Sequence, residues 1–210
     1  HGNPVFWHAI GLVGWPAGDL TGEMHYWSWR DAPAGSRFEA GLGASELAGW
    51  RADSARVQVD APSQAPGTFD VRMLRGGGHV ELDADMDRGS WQGTWQAAEF
   101  PLDEWPDGRA TGIRGMLGEG RGTAESRSGA LRIAGTLAGS PAEWLGLQAG
   151  SWRLGDVSGT LLPKPDLELT DVALRDVLFL GVHFDSVRAV VHVGDGKARI
   201  EQVTAAGGDT

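Results

Sequence analysis

The chain has 210 residues and 41% hydrophobic side chains, enough to fold one β-rich domain or two small ones and too apolar for a disordered segment. Its net charge of -10 repels a nucleic-acid backbone and an anionic membrane surface, and the lack of cysteine excludes disulfides and thiolate metal sites. No apolar run approaches the ~18 residues of a membrane span, and glycine, at 33 of 210, is well above the usual ~7% without any G-X-Y period.

The segment "HGNPVFWHAIGLVGWP" has neither an initiator Met nor a basic n-region, and the chain reads as a segment of a longer protein, residues 1–210 forming one unit. The first recurring feature is the pattern apolar-x-Gly-x-apolar. It occurs around Gly22 (Leu20, Met24), Gly93 (Trp91, Trp95), Gly115 (Ile113, Leu117), Gly135 (Ile133, Leu137) and Gly159 (Val157, Leu161), with an Ala40 copy between Phe38 and Leu42. In a strand, residues i, i+2 and i+4 share a face, so each copy places two apolar side chains with a small residue between them. The last four glycines lie 20 to 24 residues apart, about one hairpin per period.

"HYWSWR" (25–30) puts Trp27 and Trp29 on one face; with ten tryptophans in the chain, these rings fill a core or groove, or stack on sugars. "LAGWRADSARVQVD" (47–60) matches "FLGVHFDSVRAVVH" (179–192), and "GDLTGEM" (18–24) matches "GDVSGTL" (155–161). Two motifs in the same order, 132 and 137 residues apart, indicate an internal repeat of 18–60 in 155–192 and an elongated fold, although glycine-rich strands also resemble one another by chance. "RGGGH" (75–79) has no Lys-Ser/Thr of a phosphate loop and reads as a turn.

"ELDADMD" aligns Glu81, Asp83, Asp85 and Asp87 on one strand face, opposite Leu82, Ala84 and Met86. The spacing resembles the E-x-D-x-x-E strand of family 16 glucanases, whose two carboxylates do acid and nucleophile work, but the final Glu is missing. A calcium loop fails at Arg88 and Thr94, where Gly and Glu are needed. The six histidines form no metal-binding pair, and Ser54 and Ser186 lie outside any G-x-S-x-G. No catalytic residue, metal or cofactor is therefore expected.

"EFPLDEWPDGR" (99–109) reads as a loop or edge crossover, and "SPAEWLGL" (140–147), with Ser140 and Glu143 as a capping box, as the single short helix. "LELTDVALRDVLFLG" (167–181) places Leu167 and Leu169 together and slips at Asp171-Val172, as at a bulge. In "VRAVVHVGDGKARIEQV", Val187, Ala189, Val191 and Val193 alternate with Arg188, Val190 and His192. A turn at Asp195-Gly196 sets Val193 against Ala198 and Val191 against Ile200, leaving Arg188, His192, Lys197, Arg199 and Glu201 on the wet face.

These repeated strands, "LAGWRADSARVQVD" and the run "PDLELTDVALRDVLFLGVHFDSVRAVVHVGDGKARIEQVTA", resemble the TamB/AsmA-like envelope proteins over most of 18–205. The resemblance implies an all-β, elongated antiparallel meander bent into a U-shaped groove, a β-taco. It also implies a function: carriage of phospholipid acyl chains across the bacterial periplasm and outer-membrane biogenesis. The whole protein would be anchored in the inner membrane and would meet an outer-membrane assembly protein through regions not recognisable here. No enzymatic activity and no nucleic-acid partner are implied. The groove lining would be Leu131, Ile133, Leu137, Val157, Leu161, Leu167, Leu169, Val187, Val191, Val193 and Ile200. Gly22, Gly93, Gly115, Gly135 and Gly159 would leave width for acyl chains. The alternative is a tryptophan-rich β-sandwich that binds or hydrolyses carbohydrate, and a third reading makes the apolar face an ordinary core.

Overall fold

The computed structural model describes residues 23–27, 35–47, 50–62, 66–87, 89–104, 112–162, 164–195 and 197–207. Within them the chain is all-β. The strands are β1 (Glu23–Trp27), β2 (Gly35–Leu42), β3 (Ser45–Leu47), β4 (Trp50–Ala52), β5 (Ser54–Pro62), β6 (Gly67–Arg75) and β7 (Gly78–Asp87). They continue as β8 (Ser90–Pro101), β9 (Arg114–Arg127), β10 (Ala130–Trp144), β11 (Leu147–Leu162), β12 (Asp166–Phe179), β13 (Val182–Gly194) and β14 (Lys197–Ala206), with one 3-10 turn at Leu102–Glu104.

The strands form because apolar and polar residues alternate. In β5, buried Ala55, Val57 and Val59 interleave with Arg56, Gln58 and Asp60, and in β6 Phe69 and Met73 are buried between exposed Thr68 and Arg72. Short turns then set successive strands antiparallel. Ser128-Gly129, Leu145-Gly146 and Leu180-Gly181 each place two consecutive residues at positive φ, the hairpin geometry that matches strand twist. The expected turn at 75–79 is Gly76-Gly77 between β6 and β7.

The result is one sheet of twelve strands in meander order, β1-β2-β5-β6 and onward to β14, with β3 and β4 as a separate two-stranded ribbon. The expected antiparallel all-β meander is thus present. The sheet is open and uncurled, so the groove implied by the resemblance is one face of a single layer, and among the described residues no strand lies outside β14.

The helix expected over 140–147 is not formed. Ser140, Pro141 and Glu143 belong to β10, where Ala142 pairs with both Gly115 and Ala149. The capping-box pattern is local, whereas this segment has a strand to pair with on each side, and tertiary pairing overrides it. Of the crossover expected at 99–109, residues 99–101 belong to β8 and 102–104 form the 3-10 turn, while 105–109 lie outside the described residues.

The strands from β8 onward are long, and each changes phase part-way. Inward positions are three apart at Ala97 and Phe100 in β8, Leu117 and Gly120 in β9, Gly139 and Ala142 in β10, and Ala149 and Trp152 in β11. The same holds for Leu174 and Val177 in β12 and for Phe184 and Val187 in β13. The residues left over in these slips, Glu99, Gly118, Ser140-Pro141, Gly150, Asp176 and Asp185, lie side by side, and Glu99 and Asp176 take left-handed φ values of 52° and 50°. A second line runs through Gly155-Asp156, Thr170-Asp171 and Glu201, where the Thr170 hydroxyl donates to Asp156 at 3.0 Å. This line includes the slip expected at Asp171-Val172. Such bulges add local twist, and because neighbours share them, the two faces of the sheet stay unmixed.

Candidate apolar binding face

Cross-strand register assembles the apolar residues into continuous rows. One runs Val59, Phe69, Ala84, Gly93, Ala124, Ile133, Gly159, Leu167, Val193, Ala198 from β5 to β14. The next runs Val57, Val71, Leu82, Trp95, Gly122, Gly135, Val157, Leu169, Val191, Ile200. A third runs Ala55, Met73, Val80, Ala97, Gly120, Leu137, Leu154, Val172, Ala189, Val203, and a fourth Phe100, Leu117, Gly139, Trp152, Leu174, Val187, Ala205. No charged residue interrupts any of them. The pairings Val193–Ala198 and Val191–Ile200 are those the hairpin reading specifies.

The residues expected to line a groove, Leu161 excepted, are therefore gathered on one face. Leu131 stands beside Ser126, which in turn pairs with Trp91. Leu161 falls in the register shift at the end of β11, paired with neither neighbour. Gly115 joins Ala142, Ala149 and Val177 at the far end. Gly22 lies outside the described residues, as do residues 18–22 of the first repeat copy and Trp29. In the described part of the repeat, Arg56 and Arg188 are exposed, and Val59 and Val191 occupy apolar rows.

Burial along this face is graded. Over β5–β9 it is a core: Phe69 meets Trp91 edge-to-face at 5.2 Å, and Phe100 and Leu117 are fully buried at 0% exposure. Over β10–β13 most apolar positions are half-buried, and on β14 Ile200 and Val203 are 60% and 58% exposed. A terminal cluster at the hairpin ends, Trp144, Phe179 and Leu180, is also exposed.

The glycines divide into two kinds. Gly159 at φ +137° and Gly115 at φ +132° hold backbone that side chains rarely adopt, and a Cβ would run into the carbonyl oxygens of Asp166 and Pro141. Gly120 instead seats the Trp95 indole, and Gly135 does both, facing the indole and the Arg121 carbonyl oxygen. Built Cβ atoms would lie 3.0 Å and 2.8 Å from the indole Cζ3 and Cζ2, and the indole N–H donates to the Thr123 carbonyl at 3.1 Å. Trp152 covers Gly139 in the same way. The width above these glycines is filled by tryptophan rings of the chain itself. Sequence reasoning missed this lane because β9 presents Gly120, Gly122, Ala124 and Ser126, residues too small to register as hydrophobic periodicity. Their strict alternation with Arg121, Thr123 and Glu125 was the available signal.

The opposite face is polar. Glu81 is held by Arg72 at 2.9 Å and by the Gln96 amide, Arg56 pairs with Glu39 at 2.6 Å, and Arg75 with Asp53 at 2.6 Å. The Gly76 amide donates to Asp53 at 2.8 Å, and this bond, with Arg75, holds the Asp53 carboxyl below the usual range. Asp70 faces Asp83 across β6 and β7; desolvation, then the shared hydrogen bond with Asp83, push its carboxyl up. Among the described residues no cluster of three or more His, Asp or Glu could hold a metal, and no helix is long and apolar enough to cross a membrane. No family model, curated protein or solved structure matches the chain.

Proposed function

We propose that the apolar face is a lipid-carrying surface, on which phospholipid acyl chains lie along the rows from β10 to β14, and that the chain binds and does not catalyse. The observation that supports this most is the continuation of charge-free rows onto Ile200 and Val203, exposed at 60% and 58%. Soluble proteins seldom leave contiguous apolar surface uncovered without an occupant. Six methylenes laid on such a surface contribute about 5 kcal/mol, at ~0.8 kcal/mol each. The tryptophan-filled half, β5–β9, would hold the sheet rigid while the open half binds. On this reading the protein works in the bacterial envelope, between the membranes, within a longer conduit that meets an outer-membrane assembly protein.

Native mass spectrometry of the purified chain tests the reading. Phospholipid should co-purify, and an Ile200→Asp/Val203→Asp double variant that still folds should lose it. A chain that carries no lipid, and takes up none from micelles, would leave the apolar face as a docking surface for protein.

A further inference from the structure

The polar face carries a second feature. At the rim of the sheet, the loop between β11 and β12 and the β13–β14 hairpin enclose an open depression of about 900 Å³. Lys164, His192, Lys197 and Arg199 surround it, with Thr160 and Asp166 between them. Register explains the grouping. Thr160, Asp166, Gly194 and Lys197 are consecutive cross-strand partners, and His192 and Arg199 are partners one step in. Gly194 adds no side chain to the floor.

On β5, β6 and β10, Arg56, Arg72, Arg75 and Arg132 each sit beside a carboxylate. Around the depression only His192 does, 3.2 Å from Asp166. Among the described residues no carboxylate lies within 4.0 Å of the Lys164, Lys197 or Arg199 charge. Three cations with no carboxylate at ion-pair distance thus converge in a chain of net charge -10. Against Asp166 and Asp195 they leave a single net positive charge when His192 is neutral.

We propose that this depression binds a phosphate group, of the singly charged phosphodiester class. Arginine offers a planar fork of donors and lysine a compact charge, the pair of chemistries that grips phosphate oxygens. The Thr160 hydroxyl and the His192 ring add further hydrogen-bonding groups. The two aspartates oppose a multiply charged ligand. The phosphate can come from a lipid headgroup or from a free phosphate compound. The headgroup source rests on the lipid reading above: the last apolar row, Leu167, Val193 and Ala198, lies on the same stretch of strand one sheet thickness away, and Ala198 reaches the rim of both.

The experiment uses the whole chain. Dimethyl phosphate, a singly charged phosphodiester, added at constant ionic strength against chloride, should shift the amide resonances of Gly194, Lys197 and Arg199 saturably. A Lys197→Gln/Arg199→Gln variant should bind about tenfold more weakly. Amides that do not move, or a variant that titrates like the parent, overturn the proposal. Flotation with vesicles of phosphatidylglycerol and phosphatidylcholine, against phosphatidylcholine alone, separates the sources. Preferential capture by phosphatidylglycerol, lost in the variant, identifies a headgroup; saturable phosphate shifts without such capture identify a free phosphate compound. Lipid co-purifying with a chain whose rim ignores phosphate would sink this site and spare the lipid reading. Phosphate binding in a chain that carries no lipid would do the reverse.

Discussion

Replacing Gly120 by alanine should destabilise the sheet through one identifiable contact. The new methyl would stand 2.6 Å from Leu137 Cδ2 and 3.0 Å from Trp95 Cζ3. The leucine methyl is the end of a flexible side chain and can swing away. The indole is rigid and pinned by its hydrogen bond to Thr123 at 3.1 Å, so it must tilt and strain that bond. Overpacking of this kind costs about 1–3 kcal/mol, and the lower half of that range applies because Leu137 yields. Trp95→Leu removes the obstacle. In a double-mutant cycle the Gly120→Ala cost should fall by about 1 kcal/mol in the Trp95→Leu background. Urea unfolding followed by far-UV circular dichroism reads this as a midpoint shift of roughly 0.5–1 M with an unchanged slope. Gly135→Ala is the internal control. Its Cβ also meets the Arg121 carbonyl oxygen, so its cost should persist when the indole is gone. If Gly120→Ala costs the same with and without Trp95, the glycine lane does not exist to seat the tryptophan.

Phe100→Ala should cost about 3–5 kcal/mol in the same assay, since the ring is fully buried against Leu117 and Ala97; a loss under 1 kcal/mol would mean this part of the face is not a core. Asp70 keeps its proton in the fold at pH values where the unfolded chain releases it, so stability falls as pH rises from the ordinary Asp range through the raised value. Asp70→Asn should therefore raise Tm at neutral pH by a few degrees, at about 2–4 °C per kcal/mol, and leave it unchanged in acid below the ordinary Asp range. An unchanged neutral Tm would show that Asp83 imposes no burden. Asp53 has the opposite sign: its folded pKa is lowered, so its contribution is present above the unfolded value and lost as pH falls through the folded one. The Gly76 amide shift should titrate with a midpoint below the ordinary Asp value of about 3.9, and a midpoint at or above it would dissolve the turn contact.

What the sequence makes legible is the part that alternation controls. In β13 and β14 two-residue periodicity and one tight turn fix both register and faces, down to the Val191–Ile200 pair. Asp171-Val172 is visible because a phase slip in hydrophobicity is itself a pattern. The false helix at 140–147 shows the limit: a four-residue capping signature carries no information about the strands waiting on either side. The burial gradient was hidden for a different reason. Ile133 and Ile200 are chemically identical, and only their places, inside the sheet and on its outer strand, make one half-buried and the other exposed. The phosphate site is legible only in part: the hairpin reading sets His192, Lys197 and Arg199 on one face, but Lys164, Thr160 and Asp166 join them only through the pairing of β11 and β12 with β13.

The aligned phase slips have a consequence for how such a chain can change. Losing Asp176 alone would return Leu174 and Val177 to a two-residue step while Gly150 and Asp185 stay as extra residues in the strands on either side, so the three strands would no longer run in register. Strand lengths are therefore not independent variables. The crease across six strands has to be inherited whole, and a one-residue deletion is tolerated only where both flanking strands shorten in step.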